Sequence, residues 1–233
     1  MRPFTYGFLA LVIACAADPA SSQPTDEDYA SVAASIGSTT AHDGGEIAAM
    51  RQAVALVRDD DQAGFTQRGD GSFDGAMSGL AFHYRLACAG AESVAPCDRT
   101  SSAATVDATW AGTLELPERS LDLQHDARWQ LSRMTGAIAH VDGTGHLVYQ
   151  TRDLGSAYQY SYDATYHVVV NDVRAIGGEI HFVITGQHAG ADAPYAVTAD
   201  VTFAPDDTAD LVLDGTHQYQ ILLATGAVTP IAP

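Results

Sequence analysis

The chain of 233 residues contains no lysine, and its 11 basic side chains are all arginine. That absence removes Schiff-base chemistry, lysine general bases and the phosphate-gripping lysine of a P-loop. The arginines are outnumbered by 29 acidic residues, for a formal net charge of -18, and beyond Arg2 they lie singly along the chain from Arg51 to Arg174. Binding a polyanion needs clustered cations that release counterions, so nucleic acid is excluded as a partner. There are only three cysteines, and no apolar run approaches the ~20 residues of a membrane-spanning helix. Catalytic signatures are missing too. Gly75-Ala76-Met77-Ser78-Gly79 has its serine one place too late for a nucleophile elbow, and there is neither H-E-x-x-H nor a glycine-rich phosphate loop. The sequence assigns no catalytic residue, no metal ligands and no cofactor.

What is present begins at the N-terminus. Arg2 precedes the apolar run Phe8-Leu9-Ala10-Leu11-Val12-Ile13-Ala14, and polar residues from Asp18 onward end it. A positive start, a short apolar core and small residues at the cut are the layout of a secretory signal. Val12-Ile13-Ala14-Cys15 resembles the lipobox of bacterial lipoproteins. The resemblance implies cleavage after Ala14, diacylglyceryl on the Cys15 sulfur, and a membrane partner reached through that lipid. An ordinary signal cut around Ala14-Cys15-Ala16 is the alternative. Ala16 in place of an acidic retention residue favours outer-membrane delivery over the inner membrane. Loss of Arg2 with the signal leaves ten arginines against 29 acids, a formal -19.

The cysteine count fits this address. With Cys15 on lipid, Cys88 and Cys97 remain, close enough to close a small loop by a disulfide. A zinc reading of the pair lacks two further ligands at suitable spacing.

Four segments follow. Residues 1–14 read as signal peptide and 15–24 as lipidated N-terminus and tether. Residues 25–62 read as a helical segment packing on a sheet, and 63–230 as an antiparallel β domain. Two short helices are expected in the helical segment: Thr25 and Asp28 form a capping pattern ahead of Tyr29, Val32, Ala33 and Ile36, and Asp43 with Glu46 precedes Ile47, Met50, Val54 and Val57. Beyond Gly64 the apolar period becomes two, as in Leu80 to Cys88 and Val106 to Leu114. Further alternation at 129–134, 137–141, 146–151, 158–170, 179–185, 195–203, 209–213 and 217–223 makes roughly ten strands. Asp142-Gly143-Thr144-Gly145, Gly177-Gly178, Pro205-Asp206-Asp207 and Asp214-Gly215 read as hairpin turns between them. The fold class is therefore mainly β: an antiparallel meander forming a sandwich, an open barrel or a curved sheet, with two short N-terminal helices. A transmembrane barrel fits less well, given the Thr- and Asp-rich polar faces.

Four features could carry chemistry. Asp59-Asp60-Asp61-Gln62-Ala63-Gly64 with Asp70 resembles a calcium loop but departs from it at Ala63 and Asp70, so a solvated helix end is the better reading. His140 and His146 flank the expected Asp142-Gly143 turn, and His167, His181 and His217 sit in strands, where zinc would need a third convergent ligand. Tyr158, Tyr160, Tyr162 and Tyr166 share one strand face, as core packing or as a stacking platform. Arg68-Gly69-Asp70 reads as turn chemistry.

The run Leu211 to Tyr219, with the Cys88/Cys97 region and Trp110, is similar to exported lipoproteins of uncharacterised activity, which implies no particular reaction. The expectation is a membrane-anchored envelope lipoprotein presenting an acidic β domain, with a structural, interaction or ligand-binding role and an envelope protein or small ligand as partner. Enzymatic activity weighs less: the alternative is a periplasmic or surface hydrolase or metal-dependent enzyme using His and Asp on the sheet. Histidines converging with a carboxylate in a deep pocket would favour that enzyme. A filled core with histidines turned outward would favour the module.

Overall fold

A computed structural model describes residues 22–42, 45–58, 64–77, 79–88, 97, 100–115, 119–153, 157–188 and 193–231. The lipobox with Cys15, and Asp59 to Ala63 of the calcium-like loop, lie outside the described residues.

The helical part precedes the sheet as one N-terminal unit of two consecutive helices, α1 (Asp26–Thr40) and α2 (Gly45–Val57). The capping box is formed: Asp28 N–H donates to Thr25 Oγ1 at 3.3 Å, and Thr25 N–H donates back to Asp28 Oδ2 at 2.8 Å. Asp26, Glu27 and Asp28 place negative charge where the helix dipole favours it. α1 buries Val32, Ala33, Ile36, Gly37 and Thr40. α2 buries Ile47, Met50, Val54 and Val57, together with Ala49, Ala53 and Leu56. So broad a buried surface fits a helix enclosed by both α1 and the sheet.

Among the described residues twelve strands follow: β1 (Phe65–Gln67), β2 (Phe73–Met77), β3 (Leu80–Cys88), β4 (Ala103–Glu115), β5 (Arg119–Ser132), β6 (Ile138–Asp153), β7 (Ala157–Asn171), β8 (Ala175–His188), β9 (Tyr195–Phe203), β10 (Thr208–Leu213), β11 (His217–Leu222) and β12 (Ala227–Pro230). They form one sheet in chain order, each pairing antiparallel with the next, so the meander is an open sheet edged by β1 and β12 and not a sandwich. α1 packs against β10, β11 and β12, and α2 against β3 and β7. Side chains that alternate inward meet the helices, as Leu80, Phe82, Tyr84 and Leu86 do on β3.

The strand count corrects the expected ten in two ways. The alternating runs at 137–141 and 146–151 are one strand, β6, which passes straight through Asp142-Gly143-Thr144-Gly145. The short strands β1, β2 and β12 add three more. Gly177-Gly178 is not a turn either. It lies inside β8, where Gly178 (φ 93°) accompanies a register shift at Val169/Val170, the signature of a bulge. The β7–β8 turn is instead closed by Asn171, whose Oδ1 accepts from the N–H of Val173 at 2.9 Å and of Arg174 at 2.8 Å. Asp214-Gly215 does turn between β10 and β11, with φ of 46° and 69° matching a type I′ hairpin.

Hydrogen bonds at several points fix the helices to the sheet, among them Tyr29 Oη to Asp214 and Tyr84 Oη to Ala49 O. Arg58 donates from Nε to Met134 O at 2.9 Å and from Nη1 to Asp172 at 2.9 Å, joining the end of α2 to the β5–β6 and β7–β8 turns. Along α1, hydroxyls meet the tyrosines: Ser31 Oγ lies 2.9 Å from Tyr160 Oη, and Tyr149 Oη donates to Ser35 Oγ at 2.7 Å. Tyr160, Tyr162 and Tyr166 are buried, so the tyrosine row packs the core and is no stacking platform. Cys88 and Cys97 form a disulfide, with Cα atoms 5.5 Å apart.

Candidate functional site

The face of the sheet turned away from the helices is polar, and four of its histidines follow one rule. Strand register sets each of four imidazoles directly opposite an aspartate: Asp74–His83, Asp142–His167, His146–Asp163 and His181–Asp200. In every pair Nδ1 reaches the carboxylate, at 2.7 Å for His83, His146 and His181 and 2.9 Å for His167. A carboxylate only accepts, so Nδ1 carries the proton and Nε2 is the other ring atom, free of the carboxylate. The imidazoles are about half exposed. His83 and, behind it, Arg68 hold the Asp74 carboxyl below the usual carboxylate range.

The middle of this face, across β4 to β8, has a shallow concavity of roughly 570 Å³ whose walls include Asp107, Asp126, Arg128, His146, Asp163 and His181. Asp126, His146 and Asp163 form a cross-strand row of acid, imidazole and acid. His181 lies two strands and one two-residue step from His146, about 12 Å away in Cα terms. His140 and His146 are six residues apart on a single strand, about 20 Å, and do not face each other across a turn. Among the described residues no group of three or more His, Cys, Asp or Glu could hold a metal ion. His217 is elsewhere, stacked on Tyr29 of α1 with ring centroids 3.8 Å apart. Asp70 closes the Arg68-Gly69-Asp70 turn by accepting from Ser72 N–H at 3.0 Å and from its Oγ at 2.7 Å.

The helix-facing side holds a second polar cluster. Ala108, Ala127, Gly145 and Ala164 are neighbours in one cross-strand row, a trough of small side chains over β4 to β7. On one flank stand Trp110 and His125, on the other Trp129, Gly143 and Tyr166. Their rings lean over the trough. A Cβ on Gly145 would lie 2.6 Å from Tyr166 Oη and 3.2 Å from His125 Cε1. Trp110 stacks on His125 at 3.6 Å, and Trp129 meets Tyr166 edge-on. From above, α2 lowers Glu46, whose Oε1 sits 2.5 Å from His125 Nε2, both side chains being essentially without exposure. Burial and then the Glu46 charge push the Tyr84 and Tyr166 hydroxyls well above their ordinary pKa.

Sequence reasoning missed both members of this pair. Glu46 reads as a capping residue, yet it sits three and four residues before Ala49 and Met50, on the buried side of α2. His125 occupies an inward position between Leu123 and Ala127. Each is a polar residue at an apolar position, which was the available signal.

The chain matches no family model, no curated protein and no solved structure. What it does must therefore be read from its own side chains.

Proposed function

We propose that the chain is a lipid-anchored bacterial envelope protein, held through Cys15, that displays its acidic sheet face as an interaction surface. One observation carries this reading: four strand histidines turn outward, each tied to its own aspartate, while the other face is filled by α1 and α2. Catalysis by general acid and base needs such groups brought to one reacting centre, and here they are spread along the sheet. A surface rich in Asp, Thr and His, at a mature charge near -19, suits a partner bearing cationic groups. Outer-membrane residence follows from Ala16.

Two measurements test the two halves. Labelled palmitate should enter the wild-type protein and not Cys15→Ala, and the variant should leave the membrane fraction; equal labelling of both removes the anchor. A photo-cross-linking residue at Thr144, on the outer face, should give in intact cells an adduct that is lost when Asp126→Asn and Asp163→Asn are added. An adduct indifferent to those substitutions removes the acidic face as the surface of contact.

A further inference from the structure

The buried cluster under α2 contains polar atoms that the protein itself leaves without regular hydrogen-bond partners: Glu46 Oε2, both His125 nitrogens, Trp129 Nε1 and Tyr166 Oη. His125 Nε2 has the Glu46 carboxylate beside it as an ion pair, and Tyr166 has the same carboxylate as a charged and hydrogen-bonding neighbour. The other atoms have no such company among the described residues. Buried polar groups are almost always paired, and leaving several unpaired in one place is costly. They also lie together. Strand register brings His125, Trp129 and Tyr166 around the Ala127–Gly145 trough, and Tyr166 and His125 close directly over Gly145, where a Cβ would lie only 2.6 Å from Tyr166 Oη.

We infer that Glu46, His125, Trp129 and Tyr166 form an internal binding site for ordered water beneath α2, with Gly145 as its floor. The donors and acceptors suit that ligand. Trp129 Nε1 only donates, the free oxygen of Glu46 only accepts, and Tyr166 Oη does either. A water molecule, with two of each capacity, bridges such a set, and buried waters typically make about three hydrogen bonds. Larger ligands do not suit a site roofed by a helix whose facing residues Ile47, Met50, Ala53 and Val54 are fully or almost fully buried.

The chain has only two tryptophans, and both belong to this cluster. In the 15N-labelled full chain the two indole N–H signals are separated by comparison with Trp110→Phe. Water-selective Overhauser spectra should then give a Trp129 indole cross-peak at the water frequency, with the sign of a long residence time. Gly145→Ala sets a methyl carbon against Tyr166 Oη and should abolish the cross-peak with the circular dichroism unchanged. Should that variant fail to fold, Tyr166→Phe removes one bridging atom at nearly constant volume and should weaken the cross-peak several-fold. No cross-peak in the wild type, or one of undiminished intensity in the variants that fold, overturns the site.

Discussion

Glu46 on α2 and His125 on β5 are 79 positions apart in the chain, yet Oε1 and Nε2 meet at 2.5 Å with neither side chain open to solvent. Removing one member leaves the other as a buried polar group without its partner. Either Glu46→Ala or His125→Ala should therefore lower stability by about 3–5 kcal/mol. The double replacement Glu46→Leu with His125→Phe should cost much less than the sum of the singles, because an apolar pair of similar volume needs no compensating charge. Urea denaturation of the four proteins checks this, and additivity would mean that the two groups do not depend on each other.

At Gly37, α1 comes close to the β11–β12 region. A Cβ there would run into Gly226 O and the Val228 side chain of the β11–β12 region. Gly37→Val should thus force α1 off its seat and destabilise the protein by about 1–3 kcal/mol, as overpacking does. Gly69→Ala, with nothing within 4 Å of the new carbon, should stay within about 0.5 kcal/mol of wild type. Amide exchange along α1 distinguishes local loosening from global loss: residues 32–40 should lose protection first in Gly37→Val.

Asp207 turns the chain between β9 and β10 with φ of 73° and has two nitrogen groups at its carboxylate. Arg174 Nη1 lies 2.9 Å and His42 Nε2 2.5 Å from its Oδ1. Arg174 first, and then His42, hold its carboxyl below the ordinary value. A carboxyl lowered in the fold contributes stability above its unfolded pKa of about 3.9 and loses it as pH falls through the folded value. Asp207→Asn, whose amide tolerates the same backbone region, should accordingly be less stable than wild type at pH 5–7. The two should converge below about pH 4. Denaturation midpoints across that range give the comparison, and a constant gap down to pH 2 would place the pH dependence elsewhere.

Most strands were legible because a sheet buried on one face imposes strict alternation, and β3, β7 and β9 follow it almost without interruption. β6 was misread at a specific place for a specific reason. Asp142-Gly143-Thr144-Gly145 has hairpin chemistry, but its glycines serve packing: a side chain at Gly143 would strike Arg128 O, and one at Gly145 would strike Tyr166. Local turn propensity lost to the room needed by neighbouring strands and rings. β1 and β12 are three and four residues long, too short to display a period. The disulfide followed from counting cysteines. The His–Asp pairs depend on register between strands up to 25 positions apart, and the Glu46–His125 pair on how a helix docks, neither of which a periodic pattern encodes.

The outer-face pairs bear directly on what kind of protein this is. His146 and Asp163 are opposed across β6 and β7, His146 being 42% and Asp163 70% exposed. Solvent at that level screens the attraction, so a double-mutant cycle with His146→Ala and Asp163→Ala should yield a coupling of about 0.2–1 kcal/mol. Single replacements of His83, His167 or His181 by Ala should likewise move stability by less than about 1 kcal/mol. That outcome would make these histidines expendable for folding and leave them open to a role in contact with a partner. If that role is docking of a cationic partner, the Thr144 adduct should fade in proportion to the aspartates removed while the melting temperature holds. A coupling above about 2 kcal/mol would instead make the pairs fastenings of the sheet, and would leave the acidic face without a claim to binding.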